Sequence, residues 1–326
     1  MTDVVLCECF ARDGLQHEPD FIPTAVKADL ITRFADLGFE RVEATSYSNP
    51  KVVPQFADAS ELLARLPRRE GLWYKATCAN VRAVERALAD RAAGIGVGEV
   101  SLLVSASESH TAKNLRTTRA LQWDNIAAMT TAARGLFRLV GTVSVAFGCP
   151  FEGPVDPAVV VSDVRRFAAL GVDRIALGDT TGMATPPAVR EMIAQLRAEV
   201  PEVTLIAHFH DTRGTGLVNC VAALESGVRY FDCALGGVGG HPAGVRYGEG
   251  HTGNVATEDL VSLFESMGVD TGIRLGELLE TSARCEQALG RTLDARVARS
   301  GLHPRAILRR TAGAAQNGEG KDSLTG

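Results

Sequence analysis

No stretch of this sequence approaches the roughly 18 consecutive apolar residues that a membrane-spanning helix needs, so a membrane partner is not expected. The first residues, MTDVVLCECF, lack a basic n-region and a long apolar core, and no targeting leader is expected from them. Aromatic residues make up 6% of the chain, no basic cluster is interleaved with them, and the formal net charge is −5. That combination argues against nucleic acid as a partner, while local site charge leaves acidic small substrates open. Seven cysteines occur without CxxC spacing or a disulfide framework; Cys7 and Cys9, separated by one residue, share a strand face rather than forming a zinc knuckle. The expectation is a reduced, cytoplasmic protein of enzyme size.

Apolar residues supply 45% of the chain, enough for a sizeable core. Short β-rich runs alternate with stretches of 3.6-residue periodicity almost from end to end. The spacing predicts strands over Val4–Phe10, Arg41–Thr45, Leu72–Cys78, Val100–Ser105, Thr142–Phe147, Arg174–Leu177, Val203–Ala207 and Tyr230–Leu235. It predicts helices between them over Thr24–Leu37, Gln55–Leu66, Val81–Ala93, Ala120–Leu139, Pro157–Leu170, Pro187–Val200 and Gly216–Ser226, with Thr257–Met267 after the eighth strand. Eight strand–helix units in register read as an α/β fold, a (β/α)8 TIM barrel, expected over residues 1–270. A doubly wound open sheet is the runner-up, but no GxGxxG follows the first strand to support it. Residues 271–312 read as a short helical C-terminal extension, including Leu275–Leu289, and residues 313–326 as a disordered tail almost without apolar content.

In such a barrel the reactive groups collect where the strands' C-terminal ends meet the following loops. The stretch LIAHFHDTRGTG places His208 and His210 at i and i+2 of a strand end, so both imidazoles converge on one spot. Paired neutral imidazoles are good ligands for a divalent metal. The other strand ends add Arg12, Asp13 and Gln16 in ARDGLQ, Glu43 and Ser46 in VEATS, Asp179 and Thr180 in LGDTT, and Asn254 beyond a long glycine-rich loop. Singly, each has an ordinary structural explanation: a surface ion pair, a turn cap, a neutralised arginine. Jointly they recur at one end of successive strands, which loop composition alone does not produce.

The motifs ARDGLQ, VEATS with a following PK, FGCPFEG, LGDTTGMATP, HFHDTRGTGLVN and GNVATEDLV occur in an order that resembles 3-hydroxy-3-methylglutaryl-CoA lyases. These belong to a wider set of metal-dependent carbon–carbon lyases and synthases, and the resemblance runs from Arg12 to about Ala288. It implies a divalent metal, Mg²⁺ or Mn²⁺, held by Asp13, His208, His210 and Asn254; spacing alone leaves Zn²⁺ open. It implies retro-Claisen cleavage of a 3-hydroxyacyl-CoA to a keto acid and acetyl-CoA. Arg12 would face the enolate oxygen, with Glu43, Asp179 and His208 as further catalytic groups. Gln16, Ser46 and Thr180 are expected to contact the acyl-CoA, and assembly as a homodimer suits the class. Two alternatives accompany this expectation. One is a Claisen-type acyltransferase, synthase or hydroxy-oxo-acid aldolase of the same superfamily. The other is a non-catalytic paralogue.

The resemblance breaks in the loop after the eighth strand. Family lyases carry a cysteine there within GGCPYA, whereas this loop reads GGVGGHPAGVRYGEG, is longer, and contains no cysteine. Its closest local match puts His241 at the cysteine's place, and GEGHTGNV resembles the GERTGN of homocitrate and isopropylmalate synthases. A histidine titrates near ~6.5 and a thiol near ~8.5, so proton transfer by His241 would move the governing pKa toward neutrality. His241→Ala is expected to lower kcat by about two to four orders of magnitude and to remove that pKa from the pH–rate profile. An unchanged profile would leave proton transfer to His208 or a metal-bound water.

Overall fold

The computed structural model describes residues 2–240 and 253–306. Eight parallel strands close into a barrel in chain order: β1 (Val5–Glu8), β2 (Arg41–Ser46), β3 (Trp73–Cys78), β4 (Glu99–Ser105), β5 (Arg138–Ser144), β6 (Arg174–Asp179), β7 (Thr204–Phe209) and β8 (Tyr230–Cys233). β1 pairs with both β2 and β8, which completes the (β/α)8 barrel. The helices are α1 (Thr24–Leu37), α2 (Ala59–Arg65), α3 (Val81–Ala92), α4 (Glu108–Leu115), α5 (Arg119–Ala133), α6 (Pro157–Ala169), α7 (Pro186–Glu199), α8 (Gly216–Glu225), α9 (Thr257–Met267), α10 (Leu275–Leu289) and α11 (Val297–Ser300). Among the described residues no helix is long and apolar enough to cross a membrane.

Helix starts follow local chemistry. Side chains of Asn80, Ser107, Thr118 and Asp156 accept backbone N–H groups in the first turns of α3, α4, α5 and α6, satisfying donors that have no partner within the helix. Several boundaries differ from the sequence expectation, and three differences bear on the site and the barrel. β5 begins at Arg138, not Thr142, because α5 stops at Ala133 and Leu139 and Val140 already pair with Val100 and Ser101. α4 has no counterpart in the expected elements, since ESHTAKNL is too polar to show an apolar period. β1 ends at Glu8, and the expected strand residue Phe10 instead opens a single π turn over Phe10–Gly14. α10 packs against α1 and α9, and the expected tail over 313–326 lies outside the described residues.

The barrel interior is divided. On the β5–β8 side Val140, Ala176 and Ile206, with Tyr230 against them, form a small apolar cluster. Across β2, β3, β4 and β8 the interior also carries charge. Arg41 is buried and donates to Glu99 Oε1 through Nη2 (2.5 Å) and Nε (3.2 Å), with Nη1 3.5 Å from Asp232 Oδ1. Burial opposes the Glu99 carboxylate, but the Arg41 guanidinium holds its pKa below the usual range. Removing one member of such a pair strands the other charge in a dry interior. Glu99→Ala is therefore expected to destabilise the fold by about 3–5 kcal/mol, read as a lower urea midpoint. A midpoint like that of the unaltered protein would mean that Arg41 finds compensation elsewhere.

Candidate active site

Glu8 and the π turn bring the first strand's reactive residues into the barrel mouth. The Cys9 carbonyl accepts the N–H groups of Arg12 (3.1 Å), Asp13 (2.9 Å) and Gly14 (3.2 Å), a tight π turn of the kind that often marks functional sites. Glu8 Oε1 accepts Phe10 N–H (3.0 Å) and Leu235 N–H (2.9 Å), and its Oε2 accepts the Thr257 hydroxyl (2.6 Å). One carboxyl thus ties together the turn bearing Arg12 and Asp13, the root of the loop after β8, and the start of α9. Burial pushes the Glu8 pKa up to about 8, and a carboxyl kept neutral at this depth needs no counter-ion. Gly14 fits because a Cβ there would collide with Val238.

Asp13, His208 and His210 place their ligand atoms within 4.8 Å of one another. His208 Nε2 is 3.3 Å from His210 Nε2, and His210 Nε2 is 3.5 Å from Asp13 Oδ2. Asn254 joins them because its backbone pairs with His210 in an antiparallel bridge, and its Nδ2 donates to Asp13 Oδ2 (2.7 Å) and the Val238 carbonyl (3.0 Å). Gly239, at φ +151°, lines this corner; a Cβ there would stand 2.6 Å from Asn254 Nδ2. Burial opposes ionised Asp13, yet the His210 hydrogen bond and the Arg12 guanidinium hold its pKa well below the carboxylate range.

These residues fit a divalent cation. Among the described residues the buried Asn254 Oδ1 has no hydrogen-bond partner, and buried polar atoms in that state are uncommon. Both Nδ2 hydrogens of Asn254 go to acceptors, which leaves its oxygen to act as a ligand. Two imidazole nitrogens, one carboxylate and one amide oxygen suit Mg²⁺, Mn²⁺ or Zn²⁺. A second cluster, Cys7, Cys9 and Asp232, is also close together but unsuited. Lys75 and Arg41 already lie against Asp232, and burial pushes the Cys9 thiol pKa well up, so it keeps its proton.

Arg12 closes the set. Its Nη1 is 2.6 Å from Asp13 Oδ1 and its Nε is 3.5 Å from Glu43 Oε1. Glu43 also accepts the Thr77 hydroxyl (2.7 Å) and lies 3.4 Å from Lys75 Nζ. A register shift between Glu43 and Thr45 marks a bulge in β2 beside this contact. Gln16 Nε2 donates to Asp13 Oδ1 (3.0 Å), and Thr180 Oγ1 accepts Val145 N–H (2.9 Å) while lining the cavity. Ser46 and Asp179 turn to other partners. The Ser46 hydroxyl donates to the Thr77 carbonyl (3.1 Å), and Asp179 Oδ1 accepts the N–H groups of Met183 (2.7 Å) and Ala184 (3.1 Å). Burial raises the Asp179 pKa to about 6, against those two hydrogen bonds, and among the described residues its Oδ2 has no hydrogen-bond partner. His241 lies outside the described residues.

Lys75 and Asp232 sit in mid-strand and are not among the charged residues at strand ends. Asp232 is the register partner of His208, and its Oδ2 lies 3.3 Å from His208 Nδ1 and 3.4 Å from Lys75 Nζ. The signal that could have found them is an ionisable residue within an otherwise apolar barrel strand, as in WYKATC and YFDC.

Arg12, Asp13, Glu43, Lys75, His208, His210 and Asp232 all line one narrow inner cavity of about 60 Å³. It shares Arg12, Thr77, Leu103 and Asn114 with a wider cleft of about 520 Å³ between the β1–β4 loops.

Comparison with known proteins agrees with this geometry. The HMGL-like family model matches residues 3–284. The mitochondrial hydroxymethylglutaryl-CoA lyase of Macaca fascicularis is 38% identical over 298 residues, covering 91% of this chain and 89% of that protein. The solved structure of an HMG-CoA lyase from Acinetobacter baumannii, in complex with coenzyme A and 3-methylmalate, has a TM-score of 0.85 at 38% identity, covering 92% of this chain and 97% of that one. The hydroxymethylglutaryl-CoA lyase structure from Pseudomonas aeruginosa gives a TM-score of 0.85 at 34% identity over 95% of this chain and 98% of that one. With its barrel, its two-histidine corner and these relatives in agreement, the chain belongs to the HMGL-like family.

Proposed function

We propose that this protein is a divalent-cation-dependent carbon–carbon lyase that cleaves 3-hydroxy-3-methylglutaryl-CoA, or a close analogue, to a keto acid and acetyl-CoA. The observation that carries this reading is the placement of Arg12 against Asp13, beside His208 and His210, on one inner cavity. Asp13, His208, His210 and Asn254 would hold the cation, with Mg²⁺ or Mn²⁺ favoured. Bound there, it supplies Lewis acidity that orients substrate oxygens and offsets their negative charge.

The cavity shape supports an acyl-CoA. The inner space is wide enough only for a short reacting acyl end, and the cleft beside it has room for the handle. The relative bound to coenzyme A and 3-methylmalate is consistent with that division. Cleavage removes the proton of the 3-hydroxyl and breaks the C2–C3 bond. The bonding electrons pass to C2 as the thioester enolate, C3 becomes the ketone, and C2 then takes a proton to give acetyl-CoA. Arg12 presents a permanent cation to the enolate oxygen, a charge that exists only along the reaction path. Glu43 and Asp13 fix the guanidinium from two sides. Asp232 accepts a hydrogen bond from His208 Nδ1–H, which leaves His208 Nε2 facing His210. Proton transfer is assigned to His241, on the sequence argument. All seven cysteines are buried and free, which suits a reducing compartment such as the cytoplasm.

The test is product analysis by mass spectrometry on a panel of branched 3-hydroxyacyl-CoAs. Turnover is expected to vanish on chelation and to return with Mg²⁺ or Mn²⁺; full activity in metal-free protein would end the metal assignment. Release of free CoA from acetyl-CoA and 2-oxo acids, without cleavage, would favour the synthase alternative. Arg12→Lys keeps the charge but loses the planar fork, so kcat is expected to fall roughly a hundredfold or more. If KM alone rises, Arg12 serves binding rather than the enolate.

A further inference from the structure

We propose that Lys75 is a positioning residue for the cleavage reaction: its ammonium, shared between Glu43 and Asp232, sets Arg12 and His208 in place together. The inference rests on the lyase reading above. Lys75 projects inward from β3, is buried, and places Nζ 3.4 Å from Glu43 Oε2 and 3.4 Å from Asp232 Oδ2. The first carboxylate stands on β2 and the second on β8, with β1 between them in the barrel order. Each also holds one residue of the candidate site. Glu43 Oε1 is 3.5 Å from Arg12 Nε, and Asp232 Oδ2 is 3.3 Å from His208 Nδ1.

The arrangement is a bridge with a reactive group at each end. Without the ammonium, two carboxylates would share a nearly dry cavity, where like charges repel far more strongly than in water. Arg41 cannot substitute. It donates two hydrogen bonds to Glu99 Oε1 and meets Asp232 only at Oδ1, away from the edge that faces His208. Separation of the carboxylates would carry the Arg12 fork away from the enolate position and turn the His208 ring. A single substitution should therefore disturb both ends of the bridge, Arg12 and His208, together. A merely structural lysine would change stability alone.

Lys75→Met and Lys75→Arg test this in the full-length protein, by Mn²⁺ calorimetry without substrate, by thermal melting, and by steady-state kinetics. Loss of an outer partner of a metal-ligating histidine weakens affinity by about 10–100-fold. Lys75→Met, one contact further out than Asp232, is expected to lose Mn²⁺ affinity at the lower end of that range, about tenfold, and to lower kcat at least about tenfold, with KM changed less. Lys75→Arg, which restores the charge with a different shape, is expected to fall between Lys75→Met and the unaltered protein in both measurements. A folded Lys75→Met with unaltered Mn²⁺ affinity and kcat overturns the proposal. If Lys75→Met does not fold, Lys75→Gln, which also removes the charge, carries the test, and unaltered Mn²⁺ affinity and kcat in that folded variant overturn it equally. Mn²⁺ binding without cleavage of any 3-hydroxyacyl-CoA by the unaltered protein would instead end the lyase reading, leaving the calorimetric comparison intact.

Discussion

Charge inside a water-excluding barrel has to be matched group by group, and in this protein the matching turns on Asp232. Its Oδ1 faces Arg41, and its Oδ2 faces Lys75 and His208. Burial alone would raise its pKa, but Lys75, His208 and Arg41 together drive it far down, so it stays ionised. From Asp232 one line of charge runs through Arg41 to Glu99 on the far side of the interior. A second runs through Lys75 and Glu43 to Arg12 and Asp13 at the mouth. The candidate catalytic groups are thus the open end of a network whose closed end is structural. That continuity sets a constraint: few of these residues can change without leaving a neighbour's charge buried and unmatched.

Electrostatics alone would not hold the geometry, because long side chains could relax around a misplaced backbone. Glu8 and Glu258 supply the backbone restraint. Glu8 gathers the Arg12 turn, the loop root at Leu235 and the start of α9, while Glu258 accepts Gly236 N–H (2.9 Å) and the Ser282 hydroxyl (2.5 Å) from α10. α10 therefore does more than cover the barrel. It fixes the base of the loop that the sequence marks as divergent.

Much of this was legible from residues alone, for reasons that differ by element. The strand–helix alternation is written in apolar periodicity, and His208 with His210 is a two-residue repeat that only a strand places on one side. Asn254 required the resemblance, since nothing in its spacing ties it to Asp13, 241 residues away, which its side chain meets at 2.7 Å. Lys75 and Asp232 escaped because a strand-end search passes over mid-strand positions, and an ionisable side chain there makes sense only once its partner across the barrel is known. α4 escaped for the opposite reason. Its core contact comes through His110 and Thr111 rather than an apolar stripe. Ser46 and Asp179 sit at the correct strand ends but are engaged by nearby backbone, a distinction that composition does not carry.

The inner cavity is also asymmetric in charge, and this bears on orientation of the substrate. Arg12, Asp13, Glu43, Lys75, His208, His210 and Asp232 line it from the β1–β3 and β7–β8 side. The β4–β6 wall is contributed by Ser101, Leu103, Thr142, Ser144, Ala176 and Gly178, none of them ionisable, with His110 and Asn114 of α4 above. Ser101 and Thr142 bond each other (2.6 Å), and Thr180 Oγ1 already accepts Val145 N–H, so part of the polarity of this wall is spent within the protein. A charged oxygen entering the cavity finds compensation on one side only, whereas an uncharged substituent at C3 loses little by facing the other. On the lyase reading, the division orients the acyl end before any bond breaks. The oxygens that gain charge are drawn to the half of the barrel that presents Arg12 and would hold the cation.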